Sequence, residues 1–131
     1  MKATELMIGD WVKWTSDQCR TVEDSYPFKI RSICAETVQI DGRNNWYVES
    51  LIEPVTLTED FMNRNFPEYE EGHEIGWWQH EDKETFHVEF VDRYRKIVMR
   101  GVKYVHELQH ILRMCGLKKE LIINAKNERI C

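Results

Sequence analysis

Alternation of apolar and polar positions dominates the first 55 residues. After Gly9-Asp10, a pair suited to a turn, Val12 and Trp14 alternate with Trp11, Lys13 and Thr15, which predicts a strand. Phe28, Ile30 and Ile33 repeat the pattern, and residues 37–40 are β-branched at alternate places. Asp41-Gly42 is a hairpin signal, lengthened by Arg43, Asn44 and Asn45 before Trp46, Tyr47 and Val48. Five short strands joined by polar turns predict a small, strongly bent, SH3-like β-barrel over residues 1–55, closed by Pro54.

The period changes after Pro54. Thr58 is a suitable N-cap, Glu59 and Asp60 suit a first helical turn, and Phe61 and Met62 supply apolar anchors for a helix ending near Asn65. Residues 75–80, 85–91 and 96–100 read as a three-stranded meander. In its middle strand Phe86, Val88 and Phe90 share one face, with His87 and Glu89 on the other. Gly101 is expected to introduce a helix over 102–115, with Gly116 as its C-cap, and residues 117–124 to form a last strand. The fold class expected is therefore α+β: an SH3-like lobe over 1–55, then an α+β lobe over 56–131 with an antiparallel sheet and two helices.

Composition narrows the function classes. The chain has 131 residues, 42% of them apolar and 31% charged, which excludes a disordered chain. Its apolar runs are too short to cross a bilayer, so no membrane association is expected. The opening residues carry a lysine but no apolar export segment, and Cys19, Cys34, Cys115 and Cys131 form no C-x-x-C pair. Four reduced thiols in a cytoplasmic protein is the resulting expectation.

Three segments carry a resemblance: ATELMIGDWV at the start, EPVTLTEDFM in the middle and VKYVHELQHILRMCG late in the chain. In matching order they resemble the ELRIGNYV-like opening, PIPLTEE-like middle and YVHQLQNLYFALTG-like late helix of a family of small uncharacterised proteins. That family occurs in gut anaerobic bacteria and in their phages and mobile elements. The segments cover about a third of the chain. The resemblance implies no activity, so it transfers no catalytic residue. Where the family pattern has Gln and Asn, this chain has Glu107 and His110.

Those two residues complete a formal H-E-x-x-H from His106 to His110. On a helix, imidazoles four residues apart share a face and can hold a zinc ion while the intervening glutamate acts on the bound water. Three considerations count against that chemistry. No second motif supplies a third ligand, although His87, Glu120 and Glu128 are present. Val105, Leu108, Ile111 and Leu112 form an apolar stripe that leaves both histidines on the opposite side, beside Arg113. The family pattern also lacks the glutamate and the second histidine. A hydrogen-bonded or solvated helix face is the simpler reading, and no cofactor is expected. His73, His80 and His87 read as polar side chains facing solvent, and no phosphate-binding loop or nucleophile elbow is present.

The net charge of −5 conceals a division. Residues 59–84 hold nine acids and two bases, giving −7, whereas residues 93–119 hold eight bases against Glu107, giving +7. The basic group includes Arg93, Arg95, Lys96, Arg100 and Lys103, with Tyr94 and Tyr104 interleaved, a composition that could contact phosphates. Adjacent Trp77 and Trp78 face opposite sides of a strand, so one can enter the core while the other serves as an aromatic anchor, a role also open to Trp46 in its loop. An acidic region beside Trp77-Trp78 suits a basic protein partner. The expectation is a non-enzymatic binding or accessory protein of bacterial or mobile-element origin, acting through protein contacts. The alternatives are a metalloprotease-like zinc hydrolase using His106, Glu107 and His110, and nucleic-acid binding through the 93–119 stretch.

Overall fold

A computed structural model describes residues 1–18, 26–66, 74–91, 96–116 and 121. They form two compact units, Met1–Val55 and residues 56–121. The architecture is α+β, with two antiparallel sheets and two α-helices.

The first unit contains β1 (Trp11–Trp14), β2 (Phe28–Cys34), β3 (Thr37–Ile40), β4 (Trp46–Val48) and β5 (Ile52–Pro54) in the order β4-β3-β2-β1-β5. Its alternation is explained by a core of Val12, Trp14, Ile30, Val38, Ile40 and Ile52, joined by Ala3 and Leu6 from a single 3-10 turn. Trp14 meets Phe28 and Tyr47 at ring separations of 4.7 and 4.8 Å, in the tilted and edge-on geometries that aromatic quadrupoles favour. The fully buried Asp10 is stabilised where the chain enters β1, because its Oδ2 accepts from the Met7 amide at 2.8 Å. Gly42 takes φ +81° in the turn after β3, the left-handed backbone the Asp-Gly pair anticipates. Arg31 is an extra residue in β2 between Ile30↔Ile40 and Ser32↔Gln39, and such a bulge bends the sheet. Bending stops short of closure: among the described residues no pairing joins the edge strands β4 and β5.

The second unit opens with α1 (Glu59–Asn65). Thr58 Oγ1 accepts from the Phe61 amide at 3.1 Å and caps it, and Phe61 and Met62 are fully buried. Then come β6 (Glu74–Gln79), β7 (Phe86–Val91), β8 (Lys96–Val102) and α2 (Val105–Met114), with sheet order β6-β7-β8. Phe86, Val88 and Phe90 are buried, as are Val105, Leu108, Ile111 and Leu112 of the α2 stripe. Gly116, at φ +71°, ends α2. Among the described residues no helix is long and apolar enough to cross a membrane. Cys34 and Cys115 are thiols, while Cys19, Cys131 and, apart from the buried Leu121, the expected strand over 117–124 lie outside the described residues.

Gly101 does not start a helix. It takes φ +72° within β8, where it and Arg100 together oppose the single residue His87, between Phe86↔Val102 and Val88↔Met99. This bulge lets β8 continue to Val102, so α2 begins three residues later than the periodicity suggests. A methyl group at Gly101 or at Gly76 would meet nothing within 4 Å, so only backbone conformation distinguishes the two sites. Gly101→Ala is therefore expected to cost about 1 kcal/mol in urea denaturation. Gly76→Ala, in ordinary strand conformation, is expected to be neutral or slightly stabilising.

Candidate functional site: an aromatic platform on the second sheet

The H-E-x-x-H residues lie on α2, where Glu107 has a definite task. Its Oε1 accepts from the backbone amides of Lys103 and Tyr104, at 3.1 and 2.9 Å. Those amides precede the first turn and have no intrahelical acceptor, so the carboxylate completes the helix N-terminus as the glutamate of a capping box does. The polar-face expectation for His106 is corrected: it is buried, 6% exposed. At 100° around the helix from Val105 it sits on the shoulder of the apolar stripe. There the Tyr104 ring lies nearly parallel to it, 5.8 Å away at 14°. His110 meets His106 edge-on, with ring centres 5.6 Å apart. Among the described residues, no three His, Cys, Asp or Glu side chains converge on a metal-sized site.

A different constellation forms on β6–β8. Antiparallel pairing aligns Trp78 with His87, and the rings stack at 3.7 Å and 12°. Trp78 is 49% exposed, whereas His87 beneath it is 4% exposed. His87 Nε2 lies 3.1 Å from Glu89 Oε1, two residues along the same face, and Lys96 Nζ lies 3.6 Å from that oxygen. The hydrogen bond from His87 is the main influence holding the Glu89 carboxyl below the usual carboxylate range, with the Lys96 charge adding to it. His80, just past β6, approaches His87 edge-on at 6.2 Å. Trp78, Gln79, His80, Glu81 and Asp82 line a shallow open cleft at this end of the sheet.

The β6–β7 turn is fixed by Asp82. Its Oδ1 accepts from the Glu84 and Thr85 amides at 2.9 and 3.1 Å, and Thr85 Oγ1 donates to the carboxylate as well. These bonds, the Glu84 amide foremost, favour the ionised carboxylate and lower its pKa. The cleft rim therefore keeps its negative charge.

Trp77 points the other way from Trp78. Its Nε1 donates to the Phe66 carbonyl at 2.8 Å and its ring lies 5.9 Å from Phe86, a packing position. Trp46 is half-exposed on the edge strand β4, beside a loop held by the bond from Gln39 Nε2 to the Asn44 carbonyl. Of the basic candidates, Lys96 is engaged with Glu89, Lys103 sits over the Tyr104 ring at 5.7 Å, and Arg100 is exposed at the β8 bulge. Arg93 and Arg95 lie outside the described residues.

His87 and Glu89 are the members that sequence reasoning passed over. The signal was present: pairing symmetric about a turn at 81–84 puts residue 78 opposite 87, and a tryptophan can cover a histidine across one rung. The α2 geometry gives a test of its own. Glu107→Ala is expected to destabilise the protein by about 1 kcal/mol, while Glu107→Gln, which keeps a carbonyl acceptor, retains most of that stability in thermal and urea unfolding.

Comparison with protein-family models, curated proteins and solved structures finds no match for this chain.

Proposed function

We propose that this chain is a non-enzymatic binding module that receives a basic side chain of a protein partner on the outer face of Trp78. The observation that carries this reading is the Trp78–His87 stack. A half-exposed indole is held flat by a buried ring, so its orientation is set before any partner arrives. An indole face attracts lysine ammonium and, more often, arginine guanidinium groups. Glu81 and Asp82 on the same cleft add charge complementarity.

Two further features agree with an accessory protein of bacterial or mobile-element origin. One is the resemblance of the opening, middle and late segments to the small-protein family described above. The other is the strand order β4-β3-β2-β1-β5 with a 3-10 turn before β5, which supports reading the first unit as a relative of SH3-like barrels. A zinc hydrolase draws no support from Glu107, whose carboxylate serves the α2 N-terminus. Nucleic-acid binding would rely on the basic 93–119 stretch, of which Arg93 and Arg95 lie outside the described residues.

Fluorescence polarisation with equal-length peptides bearing arginine, lysine or only neutral side chains tests the proposal. Arginine peptides are expected to bind best. Trp78→Ala should weaken them at least tenfold, while Trp46→Ala and Glu107→Gln leave binding unchanged. Equal binding by Trp78→Ala, or no preference for basic peptides at low salt, would contradict the proposal. Tighter, salt-sensitive binding of a single-stranded oligonucleotide would favour the nucleic-acid alternative.

A further inference from the structure

The aromatic platform rests on a titratable group. His87 is nearly fully buried, 4% exposed, beneath the half-exposed Trp78 ring. Its neighbours determine how it can hold a proton. The ionised Glu89 carboxylate accepts hydrogen bonds and donates none, so the His87 Nε2 facing it at 3.1 Å carries the hydrogen. In the neutral ring the lone pair is then on Nδ1, and Nδ1 is where a second proton adds.

The charge balance beneath Trp78 is the second observation. Glu89 is already offset by Lys96, 3.6 Å away across β7–β8. The other titratable or charged groups around His87 are His80, past the end of β6, and Arg100, in the bulge opposite on β8. The negative partner is Glu89, whose Oε1 His87 Nε2 shares with Lys96. A proton on His87 therefore raises the charge directly under the indole by one unit, at a ring separation of 3.7 Å. That charge occupies the inner π face and repels any cation approaching the outer face, roughly 7 Å away through the ring.

We infer that His87 is a proton-responsive switch for Trp78, so that the platform holds a basic ligand when His87 is neutral and releases it when His87 is protonated. This rests on the proposed role of Trp78 in binding a cation. It adds the sign of the regulation: binding weakens as pH falls. By reciprocity, an arginine seated on Trp78 favours the neutral ring and drives a proton off His87. The stacked position of the two rings, rather than surface charge at large, is what couples the two events.

Two readouts test the inference on the intact chain. The first is tryptophan emission followed between about pH 8 and about pH 5, the span in which imidazoles change charge. An imidazolium stacked on an indole quenches it, so the wild type is expected to dim on acidification. His87→Phe, which keeps an aromatic ring under Trp78 but cannot titrate, should lose that transition, as should Trp78→Phe. His80→Gln should keep it. A flat wild-type titration, or a transition unchanged in His87→Phe, would overturn the inference.

The second readout is arginine-peptide affinity over the same range. The wild type is expected to lose about tenfold on acidification, while His87→Phe stays level. Parallel losses in both proteins would overturn the inference, since other groups would then carry the effect. If no peptide binds at any pH while the emission transition vanishes in His87→Phe, the binding role of Trp78 fails and the proton coupling stands as a property of the stack.

Discussion

Pairing Trp78 with His87 across the β6–β7 rung is the interaction on which the functional surface of the second unit depends. A strand shift of one residue would turn Trp78 into the interior and bring Trp77 to the surface, because strand faces alternate with a period of two. Two contacts fix the register against such a slip. Asp82 ties the turn by accepting two backbone amides, and Trp77, facing inward, donates its indole N–H to the Phe66 carbonyl. One tryptophan thus anchors the strand so that its neighbour can be displayed. The displayed ring then covers His87, whose Nε2 shares Glu89 Oε1 with the Lys96 ammonium.

The same reasoning explains why the most conspicuous motif is not the most informative feature. H-E-x-x-H chemistry needs a glutamate free to act on bound water. Here Glu107 is the third residue of α2, where preceding amides lack acceptors, and it reaches back to two of them. A glutamate three residues after a helix start is a common local solution to a local problem. The β8 bulge creates the need: by carrying the strand through Val102 it moves the helix start to Val105, which brings Glu107 into the first turn.

Much of the fold was legible because it follows from local periodicity and capping chemistry. The first four strands, the Thr58 cap, the Phe61-Met62 anchors, the inward face of β7 and the Gly116 terminus all come from side chains acting within a few residues of themselves. What was not legible depends on pairing. Gly101 reads equally as a helix boundary or a bulge until Phe86 is known to face Val102. His106 and His87 both read as polar surface, yet each is covered by an aromatic ring that a single-strand or single-helix pattern does not place. Barrel closure is a similar case. Five short strands in 55 residues suggest it, but the pairing stops at β4 and β5 among the described residues.

The central claim is that Trp78 lies flat on a buried His87, and ring-current shifts measure that geometry directly. In a two-dimensional NMR spectrum of the imidazole carbon-bound protons, His87 is expected to resonate well upfield of the other histidines. Trp78→Leu should return those resonances toward ordinary positions. His87 protons at ordinary positions in the wild type, or upfield shifts that survive Trp78→Leu, would contradict the stacked platform and the functional account built on it.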